Sequence, residues 1–194
     1  PVIIILNTIH KGDERDTAAI LFTSGSEKDP KAVQLTHRNL ASNIENFGAY
    51  IKISESDIIL ANLVFFHVFG LTVNLWVSFY YGMTMVSYAN PLDFQTISNI
   101  ARDEKPTIMV GTPSFFWGYL QKSEPGDFKT LRLMVAGADK CPDALREGYM
   151  KKHGVTLLEG YGATETSPVI SVNSLEFNRP GSTGKVIPNV QVRI

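Results

Sequence analysis

Short apolar, β-branched runs alternate with longer stretches of helical periodicity over most of this chain, and that alternation limits the fold more than any other feature. Asp57-Ile58-Ile59-Leu60-Ala61 reads as a buried strand, as do Met83 to Tyr88, Thr107 to Val110, Leu131 to Ala136 and Val155 to Leu158. Between them, Thr36 is placed to cap a helix that buries Leu40, Ile44, Phe47 and Ile51. His67 to Tyr80 reads as a buried helix stopped by Gly82. Asp93 caps another, with Phe94, Ile97, Ile100 and Ala101 turned inward, that ends before Pro106. Thr112-Pro113 opens a helix through Tyr119, and Pro142 and Gly154 bracket a further one carrying Leu145, Tyr149 and Met150. Strands alternating with helices predict an α/β fold: a mostly parallel, doubly wound sheet with helices on both faces. Ligands in such sheets sit outside the carboxyl ends of strands. The loops at Thr23 to Lys31, Gly137 to Asp139 and Gly160 to Glu165 are therefore expected to share one cleft, the last as a Gly-rich turn. From Arg179 to Ile194 the texture changes to Gly, Pro and β-branched residues. The expected division is an α/β subdomain over 1–178 and, over 179–194, the first hairpin of a β-rich subdomain.

Bulk properties exclude some functions. Lys and Arg total 18 against 19 Asp and Glu, scattered rather than blocked, so no nucleic-acid partner is expected. Cys141 is the only cysteine, which excludes an intrachain disulfide and favours a reducing compartment, the cytoplasm. The opening Pro1-Val2-Ile3-Ile4-Ile5-Leu6 is too short for a signal-peptide core and lacks a basic lead. A start at Pro1 rather than Met reads as a piece of something longer. Leu60 to Tyr81 is long enough to span a membrane, but Asn62, His67 and Asn74 interrupt it and Gly70 and Gly82 punctuate it. A buried strand and helix is the preferred reading there, with a membrane-anchored or structural segment as the rival.

Chemistry concentrates in a few stretches. In Ala18 to Leu40, an apolar run (Ala19, Ile20, Leu21, Phe22) breaks into a loop rich in hydroxyls and charge. Thr23, Ser24 and Ser26 can donate to phosphate, Gly25 lets backbone approach an anion, and Lys28 and Lys31 add charge. The common nucleotide loop G-x-x-x-x-G-K-[ST] fails, because Pro30 stands at its second Gly. The residues alone equally admit a polar surface turn. In Glu159-Gly160-Tyr161-Gly162-Ala163-Thr164-Glu165-Thr166, Tyr161 can stack on a purine while glycine backbone comes close. Thr164 can donate to a phosphate and Glu165 can hold Mg²⁺. A turn with a helix cap is the alternative. Val135 to Lys140 is a strand closing on a Gly turn. His67, inside Phe65 to Leu71, is alone compatible with a satisfied core histidine, and Gly111 to Phe115 with a plain helix start.

Together these motifs resemble the adenylate-forming superfamily of acyl-CoA synthetases, luciferases and peptide-synthetase adenylation domains. Thr23 to Lys31 is similar to its T-S-G-[ST]-T-G-x-P-K-G loop, with Glu27 for Thr, Lys28 for Gly and Ala32 for the last Gly. Tyr161 to Glu165 matches Y-G-x-T-E without departure, and Arg179 to Lys185 resembles R-P-G-S-x-G-K, so the resemblance runs from Asp16 to Ile194. It implies an enzyme that joins a carboxylic acid to the α-phosphate of ATP with Mg²⁺ and passes the acyl group to coenzyme A or acyl carrier protein. By the same resemblance Thr23, Ser24, Gly25, Ser26, Glu27 and Lys28 belong to the phosphate site. Lys31, Thr164 and Glu165 are catalytic, with Glu165 on the metal. Gly137, Ala138, Asp139, Glu159, Gly160, Tyr161 and Gly162 border the adenylate, and His67, Val68, Phe69, Gly111 and Pro113 line the acid pocket.

No Asp near Phe65 to Val68 meets an amino-acid ammonium, so a fatty or other apolar acid is expected. Ser26-Glu27, His67 to Val73 and Val135 to Lys140 look like the acyl-(acyl carrier protein) branch. That branch includes the synthetase half of bifunctional 2-acylglycerophosphoethanolamine acyltransferases, whose acyltransferase half would precede Pro1 and bring membrane association. The family's ribose-binding Asp, hinge and small C-terminal domain with its adenylation Lys would follow Ile194, so the isolated chain is expected to be inactive. The alternative, raised by Lys28 and Ala32 at glycine positions, is a non-catalytic nucleotide-binding module of the same fold.

Overall fold

A computed structural model describes residues 12–23 and 30–193. Strands β1 (Thr17–Thr23) and β2 (Lys31–Thr36) pair antiparallel as a separate hairpin. Thr36 then caps α1 (His37–Tyr50): its hydroxyl accepts Asn39 N–H at 3.1 Å, and Asn39 Oδ1 accepts Thr36 N–H at 3.0 Å.

The main sheet has seven strands. β3 (Ile58–Ala61), β4 (Thr84–Ser87), β5 (Ile108–Gly111), β6 (Leu133–Ala136) and β7 (Leu157–Gly162) are parallel. β8 (Val169–Val172) and β9 (Lys185–Val186) add antiparallel, in the order β4-β3-β5-β6-β7-β8-β9. Helix α2 (Val68–Gly70) continues through a π-helical stretch, Leu71–Trp76, into α3 (Val77–Tyr81). The crossovers between later strands carry α4 (Phe94–Glu104), α5 (Pro113–Lys122) and α6 (Asp143–His153).

Alternation along each strand divides the core in two. Leu60, Met109, Met134, Ala136 and Leu157 pack on Ile97 of α4, Phe116 and Tyr119 of α5, and Leu145 and Tyr149 of α6. Their neighbours Ile59, Ile108, Val110, Leu133, Val135 and Leu158 pack on Ile44 and Phe47 of α1 and on Val73 and Val77. The doubly wound reading holds: β5 and β6 are buried throughout because helices cover both faces. A third cluster, Leu35, Leu40 and Val68 with Ala18, Leu21 and Val33 against it, fastens the hairpin to α1 and α2.

Several expectations need correction. Gly160 to Gly162 is not a turn but the end of β7. It pairs with β8, and a Cβ on Gly162 would lie 2.2 Å from the Pro168 carbonyl oxygen, so glycine is required for that close approach. Met150 is 49% exposed, because the buried stripe of α6 runs through Leu145, Tyr149 and His153. The antiparallel edge begins at Val169, ahead of residue 179. Among the described residues the tail forms no hairpin of its own; it adds β9 to β8 and buries Ile187 in the core. The apolar run Leu60 to Tyr81 is divided between β3 and the α2–α3 helix. Among the described residues no helix is long and apolar enough to cross a membrane.

Candidate active site

A cavity of about 290 Å³ opens at the carboxyl ends of β5, β6 and β7. Val110 and Val135 line it from the sheet, and Phe47, Ile51 and Val73 add apolar surface. The Gly137-Ala138 turn and the strand end Gly160 to Thr164 also line it. His67, Val68 and Phe69 close it from the start of α2.

Local chemistry explains each wall. His67 is the N-cap of α2: its Nδ1 accepts Phe69 N–H at 3.2 Å, which leaves Nε2 as the nitrogen that carries the proton of a neutral ring. It is exposed and lines the cavity rather than sitting inside the helix. The Phe69 ring lies against Gly137, where a Cβ would come within 3.1 Å of it. Gly137 N–H donates to Gly111 O at 3.0 Å, and Ala138 takes a left-handed φ of +66°, so the turn stays narrow. Tyr161 is 54% exposed, presenting a flat aromatic face beside glycine backbone. Thr164–Thr166 forms a 3₁₀ turn, closed by Thr166 Oγ1, which accepts Ala163 N–H at 3.1 Å and donates to Ala163 O at 2.9 Å.

The hairpin approaches this turn from the other side. β2 runs against Thr164–Thr166, and Thr23 pairs directly with Lys31 across the hairpin, so both stand at the mouth of the intervening loop. Ser24, Gly25, Ser26, Glu27 and Lys28 lie outside the described residues. Glu165 is exposed, and none of the ion pairs among the described residues involves it. A lone carboxylate suits Mg²⁺, which is commonly held by one or two carboxylates together with substrate phosphates. Among the described residues no group of three or more His, Cys, Asp and Glu forms a self-sufficient metal site.

The remaining expected residues fall outside the cavity. Glu159 is 6% exposed and shares a strand face with Leu157, away from the cavity face. Its carboxylate accepts Arg146 Nη1 at 2.8 Å and Gly181 N–H at 3.0 Å, and so ties α6 and the tail to β7. Gly111 also points to that far face, against the Phe116 ring, and Pro113 is buried at the start of α5. Asp139 is exposed and accepts Lys140 N–H at 2.7 Å. Cys141 is buried, and burial pushes its thiol up to about 11, which suits a passive thiol. Sequence reasoning passed over Asn43, which α1 places against the loop between β7 and β8. The available signal was a polar residue beside the buried stripe Leu40, Ile44 and Phe47.

A sheet with ligand loops at its carboxyl edge, and a Gly-Tyr-Gly strand end beside an apolar chamber, defines a nucleotide-binding α/β class. The family model described as AMP-binding enzyme matches residues 6–194, and the chain belongs to that family. It is 33% identical over 195 residues to the long-chain-fatty-acid–CoA ligase of Bacillus subtilis (strain 168), covering 97% of this chain and 35% of that protein. The crystal structure of ATP-bound MatB from Rhodopseudomonas palustris superposes with a TM-score of 0.82 at 29% identity, over 93% of this chain and 36% of that one. O-succinylbenzoate coenzyme A synthetase (MenE) from Bacillus subtilis, in complex with ATP and magnesium ion, gives 0.81 at 28% identity, over 91% and 37%. The chain thus spans roughly a third of the length of the relatives it matches, 35% of the ligase above.

Proposed function

We propose that the protein carrying this chain is an AMP-forming acid–thiol ligase. It joins an apolar carboxylic acid to the α-phosphate of ATP, releases pyrophosphate, and passes the acyl group to coenzyme A or to the phosphopantetheine of an acyl carrier protein. The observation that carries this reading is one cavity with two kinds of lining: the glycine-rich strand end Gly160 to Thr164 and the apolar side chains Phe47, Ile51 and Val73.

On this reading Tyr161 stacks on the adenine, and Gly137, Ala138, Gly160 and Gly162 admit the nucleotide closely for want of side-chain bulk. The Thr164 hydroxyl hydrogen-bonds the α-phosphate. Thr23, Lys31 and the loop between them take the outer phosphates, and Glu165 holds Mg²⁺. Bound Mg·ATP supplies the electrophilic phosphorus, with the metal offsetting phosphate charge. Two anions must meet for the reaction, so fixed donors aimed at them lower the barrier. His67, its Nδ1 already occupied by Phe69 N–H, has Nε2–H to offer the acid's carboxylate. Phe69 and the apolar wall exclude water from the activated acyl group and favour a fatty or aromatic acid. We assign 1–178 to the nucleotide- and acyl-binding subdomain and 179–194, whose strand β9 extends the main sheet through β8, to the start of a following β-rich subdomain, and place the protein in the cytoplasm. Acyl carrier protein as acceptor, with an acyltransferase half in the same polypeptide, rests on the Ser26-Glu27 resemblance.

ATP–pyrophosphate exchange by the full-length protein, run against fatty, aromatic and amino acids, tests the reading. Exchange is expected with apolar acids, followed by thioester formation with one of the two thiols. Exchange with none of the acids would overturn it, and ATP binding by calorimetry without exchange would establish a non-catalytic module.

A further inference from the structure

We propose that Asn43 is a positioning residue: it locks the turn carrying Thr164 and Glu165 to α1, the helix that grows directly out of the phosphate-loop hairpin. The proposal rests on the ligase reading and adds to it a device that sets the spacing between the two halves of the nucleotide site.

The carboxamide of Asn43 is 6% exposed and fully employed. Its Nδ2 donates to Val169 O at 2.8 Å and to Thr166 O at 3.2 Å, while its Oδ1 accepts Val169 N–H at 3.1 Å. One planar group thereby satisfies three backbone groups of the segment between β7 and β8. An Asn in a helix interior carries a propensity penalty, and its neighbours on that face, Leu40, Ile44 and Phe47, are apolar. Packing alone would favour another apolar side chain there. Aspartate lacks the two donors, leucine lacks every polar atom, and glutamine places the amide one methylene too far.

The position of α1 gives those bonds their consequence. The helix begins at His37, one residue after β2, whose first residue Lys31 stands at the loop mouth. Leu35 of β2 and Leu40 of α1 share a buried cluster with Val68, so hairpin and helix move together. The middle of the same helix holds Thr166 and Val169. A single helix thus links the hairpin, through the strand that starts at Lys31, to the turn that carries Glu165. Thr166 closes its own turn on Ala163, so loss of Asn43 shifts that turn as a unit without unravelling it.

The test uses the full-length protein with Asn43→Ala, and with Asn43→Asp as a control that keeps side-chain volume but removes both donors. Pyrophosphate exchange should fall about 10²-fold in kcat, the scale of a misplaced group of this kind. KM for the acid should hold, and the half-saturating Mg²⁺ concentration should rise. Independently of activity, hydrogen–deuterium exchange should quicken across 163–169 while β5 and β6 stay protected. An unchanged exchange pattern at 163–169, or local loosening with unchanged kcat and Mg²⁺ dependence, would overturn the role given to Asn43. Uniform loss of protection across the sheet would overturn it too, as the mark of a merely structural residue. If Asn43→Ala does not fold, Asn43→Asp carries the same readings. A wild-type protein that exchanges with no acid sinks the ligase reading and this role with it, whereas an active wild type matched by both variants sinks only the role.

Discussion

The two ends of the parallel sheet are built to opposite specifications. Asp57, Thr107 and Arg132 each stand one residue before a strand (β3, β5 and β6), and at that end their side chains form one hydrogen-bonded network. The Asp57 carboxylate accepts Thr107 Oγ1 at 2.7 Å, Ser54 N–H at 3.0 Å, and Arg132 Nε and Nη2 at 2.7 and 2.5 Å. Arg132 Nη2 also reaches Lys52 O at 2.8 Å, while Thr107 Oγ1 accepts Ile58 N–H at 3.0 Å. Burial pushes the Asp57 carboxyl up, but the Arg132 and Thr107 bonds and the Ser54 N–H outweigh it and hold the group below the usual carboxylate range. At the carboxyl end the sheet opens onto the cavity, Tyr161 faces solvent, and Glu165 has no ion-pair partner among the described residues. A polar network ties the strands together at the amino end, while exposed side chains and an open cavity mark the carboxyl end.

Breaking the closed end should give the largest effect. Arg132→Ala leaves the Asp57 carboxylate, 3% exposed, without its cation. Urea denaturation should report a loss of about 3–5 kcal/mol, with exchange activity per folded molecule unchanged. Glu165→Ala is the mirror case. Its unfolding free energy should stay within about 0.5 kcal/mol of wild type, since the residue is exposed. Pyrophosphate exchange should drop about 10²-fold or more. Stability and activity moving together in either variant would erase the contrast.

Gly162→Ala should affect both properties. Its new Cβ meets the Pro168 carbonyl, for about 1–3 kcal/mol, and nucleotide affinity measured by calorimetry should weaken as β7 and β8 shift. The smallest effect belongs to pH. His153 Nδ1 accepts Gly126 N–H at 3.2 Å and Nε2 lies 3.0 Å from Ser123 Oγ; burial, then nearby Lys152, lowers it from 6.5 to about 4. Between those values the unfolded chain takes up a proton that the folded one refuses. The His153 contribution is therefore intact above pH 6.5, declines as pH falls through that window and levels off near 4. His153→Gln should flatten the corresponding slope in urea midpoints taken across that range.

Much of the fold was legible because its signals are local. Thr36, Asp93 and Thr112 are N-caps, Gly82 and Gly154 end helices in left-handed conformations, and the apolar strands lie where their composition put them. The pairing of β1 with β2 away from the main sheet was not legible, since an apolar run does not name its partner. At the site, motif reading placed Gly137, Ala138, Gly160, Tyr161, Gly162, Thr164, His67, Val68 and Phe69, which the structure brings to one cavity. It also swept in Glu159 and Gly111, neighbours in a motif but on the opposite strand face. A linear pattern does not carry that face distinction unless the period of two is imposed on it.

Most helices and strands, their caps and their stops were determined by the amino-acid sequence alone, because periodicity and capping act within a few residues; the Gly160 to Gly162 strand end was not, since its pairing with β8 is a tertiary contact. Tertiary structure decided which strand faces share the cavity, that Glu159 serves an ion pair with Arg146, and that Asn43 meets Thr166 and Val169 across separations of 123 and 126 residues. Those pairings follow from strand order and from the helix that each face packs against, and local composition encodes neither.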